Sequence, residues 1–146
     1  MNVNGSLIIN PIPVPQPTVG AFFQAAFERL GLELLAGRSG LSRAILEPVL
    51  SRPGLALTGF YEHFAWRRPQ VLGRAEAAYL KTLDEAERLA RWEALLSRDI
   101  PFVLLCRAGE IPIGGALLAL SDRLGIPVLA TQLSSLEVFR RGGLYL

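Results

Sequence analysis

Apolar residues fall at helical spacing where the folded part of the chain begins. Val19, Phe22, Phe23, Ala26, Phe27 and Leu30 share one face of a helix that Thr18 is placed to cap and Gly31 to end. Near the other end the spacing changes. Residues 101–106, Pro-Phe-Val-Leu-Leu-Cys, are continuously apolar, as in a strand covered on both faces. Residues 107–112 read as a loop, and 113–124 as a helix weakened by an internal Gly114-Gly115 pair and closed by Gly125. Residues 126–130 are a second buried strand. Strand, helix and strand at these lengths predict a right-handed βαβ unit with parallel strands. Ser134 is placed to cap a last helix over 136–141, which Gly142-Gly143 stops.

The middle of the chain is less regular. Residues 32–35 predict a short strand closed by Gly37, and 45–50 a second one interrupted by Pro48, hence an edge or a bulge. Val71 and Leu72 are only a short apolar pair ahead of Gly73. Residues 75–80 favour helix by propensity. Thr82-Leu83-Asp84-Glu85 has the form of a capping box, with Thr82 accepting from the Glu85 N–H. The helix after it runs to about Ser97, with Leu83, Ala86, Leu89, Ala90, Trp92 and Leu96 apolar and an i,i+4 ion pair between Glu87 and Arg91. These elements predict an α/β domain: a small mixed or parallel sheet flanked by helices, with the βαβ unit at its C-terminal end.

Arg52-Pro53-Gly54-Leu55-Ala56-Leu57-Thr58-Gly59-Phe60-Tyr61 links the two halves. It reads as a turn, a short buried run and a second tight turn beneath two aromatics. Arg52 and Thr58 bracket the run, which is either a packed turn within one core or a rim that holds a charge or ligand. Residues 1–17 form a separate arm in which Pro11, Pro13, Pro15 and Pro17 alternate with other residues, so an extended conformation is expected. The arm is a loose tail or a strip laid on a neighbouring subunit. Residues 18–146 form the domain.

Composition narrows the function. A chain of 146 residues is about one domain, and 51% hydrophobic with 19% charged residues excludes a largely disordered polymer. A net charge of +2, with scattered basic residues, argues against nucleic acid as a partner. One Cys and one His exclude an internal disulfide and a His/Cys metal cluster. No apolar run is long enough to span a membrane, and the opening residues lack a basic n-region, so no leader is expected and a cytoplasmic protein is the default.

Catalytic signatures are missing. Lys81, the only Lys, has no glycine loop before it, so G-x-x-x-x-G-K-[ST] is absent, and so is G-x-G-x-x-G. Gly37-Arg38-Ser39-Gly40 has the wrong spacing for a serine nucleophile elbow. His63 is a conceivable acid/base with no nucleophile tied to it, and Cys106, at the end of a buried strand, reads as an inert thiol. One location stays open, because parallel α/β sheets bind ligands beyond the carboxyl ends of their strands. Arg107, Thr131 and Ser134 fall there. They are either an anion-binding set or caps and turn formers.

Several blocks occur in an order that resembles one known family. They are Thr18-Val19-Gly20, Leu34-Leu35-Ala36-Gly37, the ten residues from Arg52 to Tyr61, Gln70-Val71-Leu72-Gly73-Arg74-Ala75-Glu76, Gly125-Ile126-Pro127-Val128-Leu129 and Tyr145-Leu146. From about Thr18 to Leu146 the chain resembles the N-terminal domain of the bacterial HPr kinase/phosphorylase family. The resemblance implies a fold akin to the N-terminal domains of Mur peptidoglycan ligases such as MurF. It also implies a place in carbon catabolite regulation, since full-length members phosphorylate and dephosphorylate a serine of HPr, a carrier of the sugar phosphotransferase system. They use ATP or pyrophosphate with Mg²⁺ and work as oligomers. Their phosphate loop and catalytic residues lie in a C-terminal domain, so none carries over to this chain. The expectation is an excised domain or a catalytically empty relative: a non-catalytic regulatory or assembly domain with no cofactor of its own. Its expected partners are a second copy, HPr or a catalytic domain. The alternative is a small-molecule or anion-binding module using the loops after the 102–106 and 126–130 strands.

Overall fold

The computed structural model describes residues 16–146, and most of the proline-rich arm lies outside them. Helix α1 (Val19–Leu30) begins as expected, with the Thr18 hydroxyl accepting from the Ala21 N–H at 3.1 Å. Gly31 ends it in the left-handed conformation (φ 61°), where a side chain is disfavoured. Strand β1 (Glu33–Ala36) sits one residue later than its apolar run suggests. Strand β2 (Gln70–Leu72) leads into α2 (Arg74–Lys81) and α3 (Glu85–Leu96). Strand β3 (Val103–Cys106), α4 (Gly115–Leu124) and β4 (Val128–Thr131) form the βαβ unit, and α5 (Ser135–Arg141) follows.

The sheet is open and mixed, in the order β1-β4-β3-β2. β2, β3 and β4 are parallel, and β1 joins β4 antiparallel as an edge, with an irregularity between Leu34 and Ala36. Each strand divides its side chains between two cores, as a period of two requires. Leu72, Val103, Leu105 and Val128 pack with α2, α3 and α4 around Trp92. Val71, Leu104, Cys106 and Leu129 pack on the other face with α1 and α5. There Phe22 stacks on Phe102 with ring centroids 5.2 Å apart. Helices therefore cover both faces, which explains why β3 and β4 are apolar throughout.

Four local expectations give way. Residues 45–50 form no strand: Pro48 withholds a donor, only Ile45 and Leu50 are buried, and pairing is reduced to isolated bridges just outside its two ends, Ala44 with Thr18 and Ser51 with Gln70. A strand forms instead at Gln70–Leu72, in register with Val103–Leu105. The cap of α3 is Asp84, whose Oδ1 accepts from the Glu87 N–H at 2.8 Å, while Thr82 closes α2. The Glu87 carboxylate reaches back to the Asp84 N–H, and no Glu87–Arg91 ion pair forms; the Arg91 guanidinium lies against Gly59. Gly114 and Gly115 stand at the start of α4, not within it, with Gly114 as its N-cap. At the far end α5 does stop at Gly142, and Gly142–Tyr145 continues as a 3-10 turn.

The stretch from Arg52 to Tyr61 is a 3-10 turn, Gly54–Thr58, with Ala56 and Leu57 buried and Leu55 exposed. Gly59 follows with φ 103° and is the second turn expected.

Candidate functional site

Because β2, β3 and β4 run parallel, their carboxyl ends emerge on one edge of the sheet. Three turns leave that edge: Gly73 into α2, Arg107 into a 3-10 turn, and Thr131 to Ser134 into α5. Between them lies a cleft of about 340 Å³, lined by Gly73, Arg74, Cys106, Arg107, Ser134, Ser135 and Leu136.

Each wall has a local cause. Arg107 adopts φ 47° and ψ 56°, unusual for a residue with a side chain. Its N–H donates to the Leu133 carbonyl at 3.0 Å, which ties the β3 turn to the β4 turn. Ser134 caps α5, its Oγ accepting from the Glu137 N–H at 3.2 Å. Gly73 packs closely against two side chains: a Cβ there would lie 2.9 Å from the Ser135 hydroxyl and 3.2 Å from the Arg52 guanidinium, so these would have to shift.

Behind this wall sits a buried carboxylate. Glu76, 6% exposed, accepts from the Gly73 N–H and from Arg52 Nη1, each at 2.8 Å. The second arm of Arg52 donates to the Ser135 Oγ, and its guanidinium lies 5.9 Å from the centre of the Phe139 ring. One side chain thus joins the start of α2 to the start of α5. Arg74 and Arg107 are exposed, and neither has an ion-pair partner among the described residues. Cys106 forms part of the floor, and burial pushes its thiol up to about 12, with Arg52 opposing and Glu76 reinforcing the shift. A neutral thiol in that setting is a poor nucleophile.

Of the expected site residues, the structure brings Arg107 and Ser134 into the cleft and places Arg52 directly behind it. Thr131 is 2% exposed and fully used: its hydroxyl donates to the Leu30 carbonyl and accepts from the Leu133 N–H at 3.2 Å. Thr58 lies apart, its Oγ1 donating to the Leu55 carbonyl at 2.6 Å, on a separate hollow shared with Glu76 and Tyr79. His63 stands on an exposed loop with φ 62°, and the nearest carboxylate, Glu62, is 3.6 Å away. Gly73, Arg74 and Ser135 are cleft residues that sequence reasoning missed. The signal for the first two was Gly73-x-x-Glu76 after an apolar pair, the spacing of a helix start.

The fold and cleft define a class: an open, doubly covered α/β domain whose concave site lies at the carboxyl edge of its parallel strands. Comparison with known families then identifies it. A profile described as HPr Serine kinase N terminus matches residues 21–146, and the chain belongs to that family. It is 37% identical over 114 residues to the HPr kinase/phosphorylase of Shouchella clausii, covering 78% of this chain and 36% of that protein. It is 42% identical over 85 residues to that of Exiguobacterium sp., covering 58% and 27%. The Bacillus subtilis protein of the same name is 32% identical over 114 residues, covering 78% and 36%. The chain spans about a third of the length of the curated relatives it matches.

Proposed function

We propose that this domain is a non-catalytic regulatory or assembly unit of an HPr kinase/phosphorylase-like protein, serving the control of sugar uptake by serine phosphorylation of HPr in the cytoplasm. The observation that carries the reading is family membership without the means of phosphoryl transfer. Nearly the whole chain matches the family's N-terminal domain. The residues present do not fit ATP with Mg²⁺: Lys81, the only Lys, ends α2 with no glycine loop before it. Among the described residues no group of three His, Cys, Asp or Glu side chains is placed to hold a metal ion. ATP or pyrophosphate with Mg²⁺ belongs, in this reading, to a separate catalytic domain.

The partners proposed are a second copy, that catalytic domain, or HPr itself. Exposed Phe139 and Leu144 on the C-terminal segment support an assembly role, because such side chains gain from being covered. The test is phosphorylation of HPr with ATP and Mg²⁺ by the chain alone, beside sedimentation of the chain alone and mixed with a relative's catalytic fragment. The expected result is no phosphorylated HPr and a complex in one of the two sedimentation runs. Measurable turnover by the chain alone overturns the reading.

A further inference from the structure

The geometry points to a binding site for the phosphate group of a small molecule in the cleft between Gly73, Arg107 and Ser134. The inference goes beyond the regulatory reading and stands whether or not the domain joins an assembly. It rests on a count of donors and acceptors.

Ser134 Oγ already accepts from the Glu137 N–H, and Ser135 Oγ already accepts from Arg52. A hydroxyl that accepts still has its O–H to donate, and no acceptor for either O–H is found among the described residues. Arg74 and Arg107 add two guanidiniums that can only donate and that face no carboxylate. Two of the three carboxylates closest in sequence to these walls are neutralised, and the third, Glu110 on the turn after Arg107, is exposed and does not line the cleft. Glu76 is buried against Arg52 and the Gly73 N–H, and Glu137 is paired with Arg140 and Arg141. Cys106 contributes a buried thiol to the floor. The polar side chains of the cleft therefore present donors and positive charge.

The complement is a compact group rich in acceptors with more than one negative charge, which a phosphate is and a single carboxylate is not. A volume of about 340 Å³ exceeds what bare phosphate needs, and Leu136, 67% exposed on the rim, offers apolar surface to a carbon moiety. The helix starts are not required for this argument: the N–H of Gly73, which caps α2, is already taken by Glu76.

The experiment is calorimetric titration of the full chain with inorganic phosphate and with glycerol phosphate, at low and high NaCl. Amide shifts are mapped by NMR in parallel. Binding is expected, weakening with salt, with shifts confined to residues 73–74, 106–107 and 134–136. Tighter binding of the ester assigns a phosphorylated metabolite, and equal binding assigns free phosphate. Arg74→Gln and Arg107→Asn are each expected to weaken binding about tenfold or more, the weight of a charge-assisted hydrogen bond. Asn tolerates the left-handed backbone at 107. Arg123→Gln removes an equal charge at the end of α4 and is expected to leave binding unchanged. No binding of either probe, shifts on another face, or equal weakening by Arg123→Gln overturns the proposal. Should Arg107→Asn fail to fold, Arg74→Gln and the shift map decide it. HPr phosphorylation by the chain sinks the regulatory reading and leaves this one standing.

Discussion

The buried carboxylate of Glu76 offers the most demanding test of how the cleft is held. It accepts two hydrogen bonds at 2.8 Å, one from the Gly73 N–H and one from Arg52. Glu76→Ala removes both and strands the buried Gly73 N–H. The lost helix-start bond costs about 1 kcal/mol. The lost charged bond adds about 1 kcal/mol, taken at the low end because the Arg52 side chain is 40% exposed and water replaces part of it. The unsatisfied donor adds about 1 kcal/mol more. The sum is about 3 kcal/mol, which for a domain of this size lowers Tm by about 6–12 °C. Glu76→Gln keeps an acceptor for Gly73 and loses only the charge, so about 1 kcal/mol and a fall of about 2–4 °C are expected. Thermal and urea unfolding followed by circular dichroism measure both. A double-mutant cycle with Arg52→Gln then isolates the pair, with a coupling of about 1 kcal/mol expected. The reasoning fails if Glu76→Ala melts within about 2 °C of the parent. It also fails if the cycle closes within about 0.3 kcal/mol.

Three further outcomes follow from single contacts. Trp92 is fully buried and donates to Ser121 Oγ at 2.9 Å and to the Leu117 carbonyl at 3.1 Å, so Ser121→Ala should cost about 1 kcal/mol. Trp92→Ala should cost about 3–5 kcal/mol; urea midpoints rank the two, and the reverse order refutes the assignment. A Cβ on Gly40 would lie 2.0 Å from the Gly125 carbonyl oxygen, whereas one on Gly109 meets nothing within 4 Å. Gly40→Ala should therefore destabilise by about 1–3 kcal/mol. Gly109→Ala should stay within about 0.5 kcal/mol in the same unfolding assay. Cys106 has its thiol raised from 9.0 to about 12 by burial. The unfolded chain releases that proton first, so stability is lost as pH climbs from about 9 towards about 12. Cys106→Ala should flatten that part of the stability–pH curve, and an unchanged slope contradicts the burial argument.

How far the sequence could be read depended on where each element gets its stability. β3 and β4 were legible because strands covered on both faces must be apolar at every position, and theirs are buried throughout. α1 was legible because Thr18, Gly31 and a helical apolar face all agree. β2 was not: it has three residues, opens on Gln70, and owes its form to pairing with β3. Gln70 is nonetheless fully buried, its amide donating to the carbonyls of Ala65 and Arg68, an arrangement no local rule anticipates. Residues 45–50 erred the other way, since aliphatic residues suggested pairing that Pro48 and the lack of a partner prevent.

The same omission accounts for the half of the cleft that went unread. Applying the strand-end rule to β3 and β4 alone reaches Arg107, Thr131 and Ser134. Adding β2 extends it to Gly73 and Arg74, the opposite wall. Thr131 drops out because its hydroxyl is consumed by the Leu30 carbonyl, 101 residues away in sequence. Arg52 gains a second role through contacts distant in sequence. Its place at the head of Arg52-Pro53-Gly54 suggested a ligand at the rim of that turn. In the fold it lines a hollow beside that turn and also reaches Glu76 and Ser135, joining two walls of the cleft. A turn far from the sheet edge in sequence thereby reaches the cleft, through the one guanidinium that bridges the starts of α2 and α5.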